Sequence, residues 1–312
     1  ATALRVVATV TILGWLAGRF RVGELLALAW RPHALGWLAG ALALTLLGVV
    51  LSALRWQRVL VALEVPARAA TLTRHYLASL FVGNVLPTTI GGDVLRVSRL
   101  ASSSGDAPRA MASVVLERLT GWLVLPGLTF VGLAANPGLR RLAPGPSGSA
   151  LGIAVATVTL LALILGLAAS SRFGRWMGGD QRWRRFMGAI HVGLERFRRA
   201  PSLAFEVFTV GFAYQLVVLA AAFLAAKSLG MSVGWTAILT FFPIVAIVQV
   251  LPLTVGGLGT REAALMFFLH PFGVPEANAF ALGLLLYAVN LAVSLLGAPA
   301  FAAYSRPSRA MA

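Results

Sequence analysis

Asn84-Val85-Leu86-Pro87-Thr88-Thr89-Ile90-Gly91-Gly92-Asp93-Val94-Leu95-Arg96 recurs 165 positions later as Gln249-Val250-Leu251-Pro252-Leu253-Thr254-Val255-Gly256-Gly257-Leu258-Gly259-Thr260-Arg261, without a gap. Each copy reads amide, Val, Leu, Pro, any residue, Thr, Ile or Val, Gly, Gly, three variable residues, Arg. Proline cannot donate to a helix ladder and paired glycines are poor helix formers, so each copy predicts a break centred on Pro87, Gly91 and Gly92 or on Pro252, Gly256 and Gly257. Both copies sit inside long apolar stretches. Breaks at corresponding places in two halves are the sequence mark of a transporter with its binding site at mid-membrane.

Composition agrees with a membrane setting. Apolar residues make up 59% of the 312 and mean hydropathy is +0.86, while only 12% are charged, against about a quarter in soluble domains. Working outward from the breaks, spanning helices are expected over roughly 4–18, 34–54, 110–135, 149–170, 202–226 and 276–303. The segments 70–101 and 235–271 are interrupted. Beyond its break, the first runs only from Asp93 to about Ala101, roughly half the apolar core at 1.5 Å per residue. It predicts a re-entrant helical hairpin, whose irregular backbone survives only inside protein or along a wet cavity.

Twenty-five of the 26 basic residues are arginine, and the net charge is +16. They lie between apolar segments, so the charge reads as a positive-inside signal and an attraction to anionic headgroups rather than as nucleic-acid binding. Arginines in 55–109 and in the basic loop 171–201 place both segments in the cytoplasm together with both termini. The Pro/Gly/Ser-rich stretch 136–149 then lies outside. Arg19, Arg21 and Arg31 run against this rule. The loop 171–201 also carries Phe173, Trp176, Trp183, Phe186 and Phe197, which predicts an amphipathic segment on the inner membrane surface.

The offset carries span 34–54 onto 202–226 and span 110–135 onto 276–303. With one hairpin entering from each side, the expected fold class is an all-α polytopic membrane protein: six spanning helices plus two re-entrant hairpins in an inverted-topology repeat. The expected division is 1–137, an external linker 138–148, and 149–312. The bland alternative is a packing duplication in which small residues let helices approach closely.

Candidate site residues are few. Cysteine is absent and His33, His75, His191 and His270 are scattered, so no metal or cofactor site is expected. Arg96 and Arg261 each lie just inside a half-helix whose N-terminus points to mid-membrane, an arrangement suited to a phosphate. Snorkelling to an interface is the competing role. Asp93 either caps its half-helix or supplies a counter-charge that Leu258 denies the second copy. Glu117-Arg118, inside a span, reads as an internal ion pair or a substrate contact. Glu262 suits the first helical turn, and Asn84 and Gln249 suit backbone groups freed at the breaks, with contact to the substrate the other role of all three. Unpaired charge is costly in a dry interior, so Arg96 is expected near Glu117 or Asp93 near Arg118, with both breaks lining one cavity.

Arg55-Trp56, Phe81-Val82-Gly83-Asn84-Val85-Leu86-Pro87 running into Gly91-Gly92-Asp93 and Arg96, Ser113 with Glu117-Arg118 and Gly121, and Pro252 with Gly256-Gly257-Leu258-Gly259 and Glu262 together give the chain a resemblance. It resembles the lysylphosphatidylglycerol synthase transmembrane region, over nearly its whole length. In the multiple peptide resistance factors this region looks like the lipid-flipping part, joined to a soluble aminoacyl-transfer domain. No stretch here is polar and long enough for that domain. The resemblance therefore implies movement of an anionic phospholipid or lipid-linked headgroup across a bacterial or archaeal inner membrane. An intramembrane enzyme acting on lipid phosphates or lipid-linked sugars, and a scaffold for a lipid-modifying partner enzyme or a second copy, are the alternatives.

Overall fold

Apolar length decides most of the elements. The structure is a computed structural model that describes residues 32–85, 91–169, 181–251 and 254–304, with the single position 14 before them. The expected span 4–18 apart from position 14, the prolines Pro87 and Pro252, residues 171–180 and the C-terminal arginines lie outside the described residues.

Every regular element described is helical. Long apolar runs give α1 (Pro32–Ala62), α4 (Ala107–Ala135), α6 (Pro144–Ala169), α8 (Pro201–Ser228) and α11 (Glu276–Leu295), the last extended by α12 (Ala298–Tyr304). Five of these regions are long and apolar enough to cross a bilayer: 34–62, 107–135, 144–167, 201–228 and 276–303. The interrupted segments give α2 (Ala69–Val85) and α3 (Gly91–Ser104), then α9 (Trp235–Val248) and α10 (Thr260–Leu269). The second arms, at 14 and 10 residues, fall short of the roughly 20 a crossing needs. A single turn of 3₁₀ helix, Val255–Gly257, bridges the later break, with Gly256 and Gly257 at φ of 62° and 74°. These left-handed values explain the paired glycines there.

Contacts come in pairs related by the offset of the repeated pattern. The arms α2 and α3 pack together, as do α9 and α10; α3 packs on α4 as α10 packs on α11. The helices α1 and α8, equivalent under the offset, lie along one another. The last span of each half packs on the first arm of the other: α4 on α9, and α11–α12 on α2. Gly132 makes the first of these contacts possible, because a Cβ there would sit 2.9 Å from the Thr240 backbone nitrogen. Thr129 Oγ1 donates to the Thr240 carbonyl at 3.0 Å, and Asn136 Nδ2 to Thr236 Oγ1 at 3.1 Å. Its counterpart Gly297, 165 positions on, meets the Leu77 carbonyl and the Ala78 nitrogen.

The stretch 138–148 is helical, with α5 (Gly138–Leu142) and the start of α6 in it, and Ser147 is buried, donating to the Leu139 carbonyl at 3.1 Å. Two sequence expectations change. The first described span runs to Ala62, not 54, which carries Arg55 into the protein. Arg55, Arg96 and Arg99 are all buried, so three of the arginines counted as cytoplasmic surface charge are not surface charge. Finally, α7 (Gln181–Arg199) packs its apolar stripe on protein rather than leaving it for lipid: Phe186, Ala189 and Ile190 are buried with Trp56, Leu60 and Leu116. Gly193 lets it lie close to Leu116 and Leu63. Arg184, Arg185, Arg196, Arg198 and Arg199 of α7 stay outside, where hydrogen bonds from Arg199 and Arg198 hold the Glu195 carboxyl below its ordinary range.

Candidate functional site

Charge buried at the first break is organised around one carboxylate. Glu117, on α4, is 1% exposed and faces α3 and α1. Its Oε1 accepts from Arg55 Nε at 3.0 Å and from Arg55 Nη2, while Oε2 accepts from Arg96 Nη2 at 3.1 Å. Glycine at 121 makes room for Arg55, since a Cβ would come within 2.6 Å of Nη1. Arg96, 1% exposed, lies between two rings, with its guanidinium carbon 4.8 Å from the Trp56 centroid and 4.6 Å from that of Tyr76. Such stacking suits the weakly hydrated, planar guanidinium. Trp56 is fixed in turn by donating Nε1–H to Ser113 Oγ at 3.0 Å. Asp93, in the first turn of α3, accepts from Arg96 at 3.2 Å and from Arg118 Nε at 2.6 Å. Both expected contacts therefore occur together, and Arg96 is not a snorkelling surface residue. Its Nε and Nη1 have no hydrogen-bond acceptor among the described residues.

The second break is built differently. Arg261 donates from Nε at 3.1 Å and Nη2 at 2.7 Å to Glu262 Oε1, and Glu262 Oε2 accepts the Gly259 N–H that opens α10. Under the offset, Leu282 and Gly283 stand where the first half has Glu117 and Arg118. The Glu262 carboxylate fills that space: a Cβ at Gly283 would meet Oε1 at 2.7 Å. One half thus braces its arginine from the facing span, the other from the neighbouring residue. The Tyr287 ring lies 5.9 Å from Arg261, and its hydroxyl reaches the Asn84 carbonyl across the two halves at 3.4 Å.

A cavity of about 310 Å³ opens between the breaks. Of the sequence candidates, Asn84, Gly92, Asp93, Arg96, Arg118, Gln249, Gly256 and Arg261 line it; Glu117 and Glu262 stand behind the arginines and hold them. Its charged lining is three guanidinium groups against the single carboxylate of Asp93. Arg118 is the most accessible of the three, with half of its side chain exposed, while Arg96 and Arg261 are nearly covered. Sequence reasoning missed Arg55, Tyr76, Tyr287 and Asn290. Arg55 carried no signal, because it closes an apolar run and a single arginine already balances the charge of Glu117. Among the described residues no group of three metal-ligating side chains comes together.

A bundle of apolar spans with an arginine-lined cavity among its helices defines an all-helical integral membrane protein. The protein-family model described as the lysylphosphatidylglycerol synthase TM region matches residues 2–297, and the chain belongs to that family. Among curated proteins and among solved structures, nothing matches it.

Proposed function

We propose that the protein moves an anionic lipid between the leaflets of the cell's inner membrane. The headgroup phosphate sits in the cavity between the breaks, and the two halves rock around it. One observation carries the reading: both repeats contribute to a single cavity that Arg96, Arg118 and Arg261 line, with Asp93 the one carboxylate among the described lining residues and Glu117 and Glu262 set behind the arginines. Phosphate accepts charge-assisted, forked hydrogen bonds from guanidinium groups, and such bonds strengthen away from bulk water. The unmatched Nε and Nη1 donors of Arg96 support an anion that replaces Asp93 at this place.

The paired contacts and short hairpin arms support an inverted-topology repeat with re-entrant hairpins, the architecture in which alternating access arises from one half tilting against the other. In that arrangement the hairpin of α2 and α3 enters from the cytoplasm and that of α9 and α10 from outside, with both termini cytoplasmic. Fluorescently tagged phosphatidylglycerol in proteoliposomes tests the reading. Arg118→Ala and Arg261→Ala are expected to slow leaflet exchange about tenfold or more, the effect of a lost charge-assisted bond. Arg184→Ala, an exposed arginine on α7, should leave it unchanged. Equal loss in all three reduces the cavity to general surface charge, and release of a modified lipid in place of exchange makes the protein an enzyme.

A further inference from the structure

A second, mostly apolar chamber of about 210 Å³ adjoins the polar cavity and shares Gln249, Arg261 and Asn290 with it. Leu125, Val218, Ala221, Phe242, Val245 and Leu286 supply much of its wall. The repeat shows why the chamber exists. The first half carries Arg55-Trp56-Gln57, and the equivalent triplet in the second half is Ala220-Ala221-Ala222. In the first half the place is full, for Trp56 is fully buried and Arg55 fills the space beside Gly121. In the second, two of the three alanines, Ala221 and Ala222, line an open chamber. Protein interiors are close-packed, and an apolar void forfeits the contacts of its lining. A hollow opposite a packed counterpart, sharing its boundary with an arginine-lined anion cavity, has the shape of a site for an amphiphile.

We infer that this chamber binds part of the hydrocarbon chain of the same lipid whose anionic head occupies the polar cavity, with Arg261 at the junction between head and chain. The inference rests on the anion-binding reading above and adds a rule of selection: binding depends on chain as well as on charge. Head and chain then enter the protein together, and the chain does not simply trail in the surrounding bilayer.

The test uses protein in nanodiscs of zwitterionic lipid, with inorganic phosphate and a series of alkyl phosphates from ethyl to octyl competing against a fluorescent anionic lipid. In the wild type, affinity should rise about fourfold per methylene until the chamber fills, the increment expected for burying a CH₂ group. In Ala221→Trp, which restores the residue of the first half, the rise should stop at a shorter chain than in the wild type, while competition by inorganic phosphate is retained. Val218→Phe, which narrows the same wall, gives the second reading if Ala221→Trp does not fold. An unchanged chain-length dependence in the folded variants overturns the chamber assignment alone. Failure of inorganic phosphate to compete even in the wild type overturns the anion site beneath it.

Discussion

Glu117 is the residue on which the first break depends. Two guanidinium groups converge on one carboxylate that water barely reaches, and removing a partner from such an ensemble leaves charge uncompensated in a dry place. Glu117→Gln is therefore expected to destabilise the protein by about 3–5 kcal/mol in reversible unfolding from mixed micelles. Glu195→Gln, on the surface of α7, should leave the transition where it is. The arginines at equivalent places and the acids near them were legible in the sequence, because charge inside an apolar run is rare and has to be matched. Their pairing geometry was less so. Arg55 sits at the end of an apolar run and counts naturally as a flanking charge; only the continuation of α1 to Ala62 turns it inward. The role of Glu262 in filling the space over Gly283 was also invisible, since it follows from a glycine on another helix.

At the scale of elements, hydropathy located each described span, to within a turn or two at every end but the C-terminal end of α1, and Pro–Gly-Gly located both interruptions. Proline is tolerated in a first helical turn, and α6 begins at Pro144 within the Pro/Gly/Ser-rich stretch. Composition and packing disagree at α7. The arginine-rich face of α7 suggested a membrane-surface helix, yet its apolar stripe finds protein first. The seam between α4 and α9 has a sharper consequence. Gly132→Leu has to displace Thr240 and its backbone, so it should cost about 1–3 kcal/mol in thermal unfolding. Gly127→Ala on the same helix meets nothing within 4 Å and should be neutral or slightly stabilising. Equal effects would show that the seam does not hold the halves together.

For the whole molecule, the repeat makes a prediction about sidedness that cysteine labelling reads directly, because the chain contains no cysteine. Ser147 is buried and unsuited to a label, but Ser149 and Ser103 are exposed. With cysteines introduced there, a membrane-impermeant maleimide should reach Ser149→Cys from outside intact cells and Ser103→Cys only after the membrane is opened. Labelling of both from one face would exclude opposite orientations of the two halves. The crossed packing of those halves bears finally on biogenesis. The first hairpin is covered by α11 and α12, which join it through contacts such as Tyr287 with the Asn84 carbonyl, 203 residues apart. Inserted from the ribosome in order, α2 and α3 wait with their buried arginines and their flank uncovered until α11 and α12 have been made, so the first break stays open through the synthesis of every span between them.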